Sequence, residues 1–382
     1  MLFKIATNYA AALALVSTAL TANAHDGSAL ASTSLTRRAT VCNGHAELCD
    51  RSFGNVTFVG THNSYAIGVN DFFANQDQSV TQQLNDGVRM LQMQAHNENG
   101  VIRLCHSRCG FLDGGSLEDY LNIVKTWLDA NPNEVLSLLV VNIDNVPASN
   151  YDAVFKSVGL DSVSYAPPSS PIAASEWPTL GTLIDSGKRL LTFLDNAADL
   201  TAVPYLLDEF TNIWETQFNV LDIANFDCSV NRTRGDTSTQ MFLINHFLDK
   251  LVLGQPAPFI ERLNQTNAAT GAGSLGAHVD TCVADHGRPP NFLLVDFYEY
   301  GGGSVFQVAA YMNGVPYNPA TPVATPASTS TATNTGSGST VSVTSSSLSG
   351  GTSVTFQLFN DRYLTAFIKS TLAILLGSLI VL

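Results

Sequence analysis

The 382-residue sequence is poor in charge, and poorest in positive charge: 13% of residues are charged, and 18 Lys and Arg stand against 32 Asp and Glu. The formal net charge of −14 excludes the basic face that nucleic-acid binding needs. It also argues against electrostatic docking on anionic membranes, while leaving room for one anionic substrate in a local basic pocket. There is no Cys-x-x-Cys, and the cysteine spacings do not read as a zinc site. No Gly-x-Gly-x-x-Gly follows the first strand-like run, which counts against a dinucleotide fold. No internal repeat is visible.

What is present begins with processing signals. Lys4, an apolar run over residues 10–20 and Ala22-Asn23-Ala24 make residues 1–24 a signal peptide. Residues 25–38 end in Arg37-Arg38, either a dibasic propeptide site or an ordinary surface pair. Residues 319–353 are rich in Ser, Thr, Pro, Gly and Ala and read as an extended, O-glycosylated stalk. Residues 354–382 finish in an apolar tail, with Ser349-Gly350-Gly351 upstream. That order is a GPI-attachment signal, a C-terminal transmembrane helix being the competing reading. The expected location is extracellular, at the cell surface, on plasma membrane or wall. Secretion turns the six cysteines into a disulfide question, and proximity suggests Cys42–Cys49, Cys105–Cys109 and Cys228–Cys282. Asn55, Asn231 and Asn264 head N-glycosylation sequons.

The folded domain is expected over residues 39–318. Apolar runs at 56–60, 88–94, 101–105, 135–141, 189–194, 241–245 and 291–295 read as strands, with helical stretches between several of them. The run at 88–94 carries polar residues at alternate positions, so one face meets something polar. Each run closes on a polar residue: His62, Gln94, His106, Asn142, Asp195, His246 and Asp296. Strands separated by helices imply parallel βα units. A ring of polar strand ends fits an α/β fold of the closed (β/α)8 type, whose active site lies at the C-terminal strand ends. An open doubly wound sheet is the competing fold. Two histidines at strand ends, His62 and His106, can divide general base and general acid work between them.

Gly60-Thr61-His62-Asn63-Ser64-Tyr65, Gly87 to Gln94, and Leu104-Cys105-His106 together resemble the X region of phosphatidylinositol-specific phospholipase C. The domain is similar to the secreted fungal PLC-like phosphodiesterases. The resemblance implies a distorted TIM barrel that cleaves a phosphodiester of an inositol phospholipid. It implies His62 as the base that takes a proton from the inositol 2-hydroxyl, and His106 as the acid that protonates the departing diacylglycerol oxygen. Asp296 is the candidate to orient His62. Asn63, Gln92, Gln94, Asn142 and His246 are candidate substrate-binding residues, with Asp144, Tyr298 and Tyr300 as lesser ones. Calcium-dependent members place acidic ligands where this chain has Gln92, Gln94 and Asn142 beside Asn63. Calcium-independent members use an arginine where it has Gln94. No metal ligand is therefore assigned, and the phosphate-neutralising group has no candidate. A barrel that binds at the cell surface or wall without cleaving is the alternative function. A monomer is expected, anchored to a membrane through GPI.

Overall fold

A computed structural model describes residues 38–69, 71–252 and 254–327. The expected signal peptide, most of the expected stalk and the apolar tail lie outside the described residues. No helix among the described residues is long and apolar enough to cross a membrane.

In chain order the strands are β1 (Phe58–Thr61), β2 (Met90–Glu98), β3 (Val101–His106), β4 (Leu112–Ser116), β5 (Leu136–Asn142), β6 (Leu190–Leu194), β7 (Leu206–Asp208), β8 (Ile213–Glu215), β9 (Met241–Asn245), β10 (Asp249–Val252), β11 (Gln255–Pro258) and β12 (Phe292–Val295). The helices are α1 (Val80–Asp86), α2 (Leu117–Ala130), α3 (Ala148–Ser157), α4 (Leu180–Asp185), α5 (Glu209–Asn212), α6 (Leu263–Thr266), α7 (Leu275–His286) and α8 (Ser304–Asn313). Local chemistry accounts for several of these. Helix α2 starts where Ser116 Oγ accepts from the Asp119 N–H at 3.1 Å. Its Leu117, Leu121, Val124 and Leu128 then form one fully buried stripe.

Eight strands run parallel in the order β7-β6-β5-β2-β1-β12-β9-β8. No pairing joins β7 to β8, so the ring is a distorted TIM barrel with a seam there. Only the four-residue α5 links those two strands. The strand ending at His106 departs from the expected parallel units. Strand β3 pairs antiparallel with β2, and β4 antiparallel with β3. The Asn99-Gly100 pair, both at positive φ, makes the tight turn between β2 and β3.

Side chains alternate across each strand, and the burial follows that alternation. Phe58, Met90, Leu139, Leu191, Phe193, Leu243, Phe292 and Leu294 belong to one buried cluster that fills the barrel. Val59, Leu91, Leu138, Ile244 and Leu293 belong to a second, packed under the helices. Gly60 keeps the inner layer tight, because a Cβ there would sit 3.2 Å from both Leu294 Cδ1 and Met90 Cβ. The inward phase of β1, β2, β6, β8, β9 and β12 continues upward to His62, Gln92 and Gln94, Asp195, Glu215, Asn245 and Asp296. The barrel is thus apolar below and polar at its mouth.

The three disulfides are Cys42–Cys49, Cys105–Cys109 and Cys228–Cys282. Beyond residue 318 the chain stays on the domain for a few residues. Ala324 N–H donates to Asp86 at 3.1 Å, and Gln78 donates to Thr325 O at 2.9 Å.

Candidate active site

The mouth encloses a cavity of about 440 Å³. His62, Gln92, Gln94, His106, Asp195, Glu215, Arg232 and Asp249 are among the residues that line it. The two histidines therefore face one space, although they come from a parallel strand and an antiparallel hairpin.

His62 is held on three sides. Its Nδ1–H donates to Asp296 Oδ1 at 2.8 Å. That bond fixes the tautomer, leaving Nε2 with a lone pair. Asn63 Nδ2 donates to that Nε2 at 3.1 Å. The ring lies on Phe247 with centroids 4.0 Å apart. Asn75 closes the circuit. It donates to both Asp296 oxygens at 3.1 and 3.2 Å and accepts from Asn63 Nδ2 at 3.1 Å.

His106 is anchored differently. Its Nδ1–H donates to Phe73 O at 2.6 Å, so Nε2 is the nitrogen left for chemistry. Burial first, then the nearby His62, lower its basicity below that of an ordinary histidine.

Each member of this trio is followed by a left-handed residue: Asn63 at φ 43°, Ser107 at φ 57° and Phe297 at φ 42°. Such a conformation is strained for a side chain as large as phenylalanine and persists only when over-determined. Here Phe297 N–H donates to Asn75 O at 2.9 Å, and Asn267 donates to Phe297 O at 2.9 Å. The glutamines brace the other two. Gln92 Oε1 accepts from Asn63 N–H at 2.6 Å, and Gln94 Oε1 accepts from Ser107 N–H at 2.9 Å.

The structure thus brings together His62, His106, Gln92 and Gln94, with Asp296 behind His62. Asn63 is fully buried and touches His62 from behind the cavity wall. Asn142 and His246 are not brought to the cavity, which corrects the expectation for both. Asn142 lies out of phase with Val141, which lines the cavity, and ties its own loop by bonding Val146 and Tyr151. His246 lies out of phase with Asn245 and Phe247. It is fully buried, bonded to Thr266 O at 2.9 Å and to His278 at 3.0 Å. Tyr298 is likewise buried, donating to Asp86 at 2.6 Å. Asp144 accepts from Asn97 N–H at 2.7 Å.

Asn75, Phe247, Asp249, Glu215 and Arg232 escaped the sequence reading. Asp249 opens the β10–β11 hairpin, and Phe247 and Asp249 continue the inward phase of β9 past its end. Arg232 brings a cation to the cavity, but its charge is committed. It donates through Nε to Glu215 at 3.0 Å and lies 4.5 Å over the Phe218 ring. Glu215 in turn neighbours the buried Glu209, whose carboxyl is pushed well above the usual range, first by burial and then by Glu215.

Calcium at the family position would need several oxygen donors, carboxylates among them. The amide oxygens of Gln92 and Gln94 are already occupied by backbone N–H groups, and Asn142 points elsewhere. The residues present do not fit a calcium ion there.

The PI-PLC X family model matches residues 48–313. Among similar chains, an "Uncharacterized secreted protein" of Arthroderma benhamiae is 47% identical over 287 residues, which is 72% of this chain and 65% of that protein. The "PI-PLC X domain-containing protein 1" of the same fungus is 44% identical over 278 residues, covering 72% of this chain and 90% of that one. Among solved structures, the phosphatidylinositol-specific phospholipase C of Listeria monocytogenes aligns with 68% of this chain and 94% of its own at 16% identity and a TM-score of 0.47. With the family model spanning most of the described residues, this chain belongs to the PI-PLC X domain family.

Proposed function

We propose that the protein is a phosphoric diester hydrolase that cleaves an inositol phospholipid, or a related diester, by general acid–base catalysis. One observation carries the reading: His62 and His106 line the same cavity with Nδ1–H anchored in each, His106 Nε2 has no partner among the described residues, and His62 Nε2 holds only the Asn63 amide, which a substrate hydroxyl displaces. His62 Nε2 takes the proton from a headgroup hydroxyl as that oxygen bonds to phosphorus. The bond from phosphorus to the diacylglycerol oxygen breaks, and that oxygen takes the proton from His106 Nε2. The product is a cyclic phosphodiester. Asp296 orients His62 and stabilises the imidazolium that forms.

The far wall supports a polyol headgroup, since Asp195, Glu215, Asn245 and Asp249 present hydrogen-bonding groups of the kind that hold hydroxyls. An extracellular location suits the three disulfides, the exposed Asn55, Asn231 and Asn264 sequons, and the similarity to a fungal protein named as secreted. GPI attachment to the plasma membrane or wall is part of this proposal, as is action as a monomer.

A barrel that binds without cleaving is favoured by one observation, the absence of an uncommitted cation among the described cavity residues. A single assay decides. The secreted domain is incubated with phosphatidylinositol vesicles, with calcium and with a chelator. Cyclic inositol phosphate from wild type and none from His62→Ala supports the hydrolase; no product from wild type under either condition leaves the binding protein.

A further inference from the structure

We infer that Gln92 and Gln94 form a neutral, metal-free clamp for the phosphate, each presenting its Nε2 amide hydrogens to a non-bridging oxygen. The inference rests on the phosphodiesterase reading and deepens it.

Which end of each amide faces the cavity follows from hydrogen bonding. A backbone N–H can only donate, so the atom it meets must be oxygen. Asn63 N–H meets Gln92 at 2.6 Å, and Ser107 N–H meets Gln94 at 2.9 Å. Both oxygens are thereby turned to the backbone. Neither Nε2 has a hydrogen-bond partner among the described residues. Both side chains line the cavity, and Gln92 is 4% exposed. Both amide nitrogens are therefore open to the cavity and free to donate to a ligand there.

Placement adds to this. Gln92 Oε1 binds the residue after His62, and Gln94 Oε1 binds the residue after His106. The two amides are therefore registered against the two acid–base groups, as donors to a phosphorus between those groups must be. Fixed dipoles already aimed at the phosphate stabilise developing charge without reorganising. Arg232 does not compete for this role, since β12 and β9 separate its partner strand β8 from β1 and Glu215 takes its charge. The same bonds explain the misfit of calcium: the oxygens that would bind it are the ones holding the loops.

The test must separate clamping from bracing. Gln92→Glu and Gln94→Glu each keep an oxygen for the backbone N–H but replace the donor. Binding of myo-inositol 1-phosphate and of uncharged myo-inositol is measured by calorimetry on the full chain, beside a thermal melt. The expected result is at least a roughly tenfold loss of inositol phosphate affinity in each variant, with myo-inositol affinity unchanged. On the unaltered protein, the side-chain amide NMR signals of both glutamines shift on titration with inositol phosphate. Inositol phosphate bound equally by wild type and variants, or glutamine signals that do not move, overturns the clamp. A wild type that binds inositol phosphate through both glutamines yet cleaves no phosphatidylinositol leaves the clamp standing and removes the hydrolase reading.

Discussion

Phe247 lies flat against His62, with ring centroids 4.0 Å apart and planes within 5°. Asp296 holds the edge of the imidazole and Phe247 holds its face, so the ring has one orientation in which Nε2 meets a substrate hydroxyl. Leucine at 247 fills much of the same volume without a flat surface. Phe247→Leu should lower kcat roughly tenfold while leaving KM within about twofold, because the hydroxyl is bound but the base is less well aimed. A loss confined to KM would mean that Phe247 contacts the headgroup instead.

Asp296 gives a sharper effect. Its two oxygens accept from His62 and from Asn75, so both are needed as acceptors. In Asp296→Asn one acceptor becomes a donor. The amide must either face Asn75 donor to donor or release the His62 N–H. The first breaks the Asn75 bridge behind the ring and the second permits the wrong imidazole tautomer, and kcat should fall at least about a hundredfold with the melting temperature little changed. Activity within a factor of about two of wild type would remove Asp296 from the mechanism.

These residues show how far the sequence could be read. His62 and Asp296 were legible because each follows an apolar run, and the residue after a strand in a parallel barrel sits at the mouth; His106 also ends an apolar run but reaches the mouth on the antiparallel β2–β3 hairpin. Asn142 and His246 also end such runs, yet side-chain phase decides. Val141 and Phe247 point inward, so their neighbours point out. Counting back from Gly60-x-His62 would have fixed the phase of β1, but the phase of β9 rests on which of Leu243 and Ile244 faces inward, and both are apolar. Asn75 lies in a loop with no periodicity, and only its bonds to Asp296 and Asn63 reveal it. Arg232 follows Asn231 in a stretch with no strand-like run, and nothing in the sequence aims it at the cavity.

His106 sets the pH dependence. Its basicity lies below the ordinary value of 6.5, through burial first and then through His62. As the acid it must carry its proton, and that fraction falls as pH rises through the lowered pKa. The alkaline limb of the kcat/KM profile on phosphatidylinositol should therefore have its midpoint below 6.5, with the optimum on the acid side of neutrality. His106→Gln should abolish that limb along with most of the rate. An alkaline midpoint above 7 in wild type would contradict the assignment.

Asp249 links the cavity to stability. Its carboxyl lines the cavity, has no hydrogen-bond partner among the described residues, and is 5% exposed. Burial first and then Asp296 push its pKa up to about 7, with His62 opposing. The folded state therefore keeps a proton that the unfolded chain, near 3.8, gives up. The sign follows: its contribution is intact below the unfolded value and is lost as pH rises through about 7. Asp249→Asn should melt close to wild type near pH 4 and several degrees above it at pH 8. A melting difference that is flat across this range would show that the carboxyl is solvated.

The rim determines how the cavity could reach a lipid. Phe111, Ile143 and Phe218 line the cavity and are also exposed. Beyond them, Phe72 is 61% exposed next to the lining residue Phe73, and Leu251 is 60% exposed on the hairpin whose Gln255, Pro256 and Pro258 form one wall. With a net charge of −14, attraction to an anionic surface is not available, so attachment must come from apolar side chains entering the interface. Burying one large apolar side chain stabilises by about 1.5–3 kcal/mol, roughly tenfold or more in partitioning. Phe72→Ser and Leu251→Ser should each weaken binding to phosphatidylcholine vesicles containing phosphatidylinositol by that factor. Neither residue lines the cavity, so hydrolysis of water-soluble cyclic inositol phosphate should be unchanged. Vesicle binding should also be insensitive to salt, because screening acts on charge and not on apolar contact. Binding that collapses as salt is raised, with both serine variants behaving as wild type, would place the lipid contact on another face of the barrel.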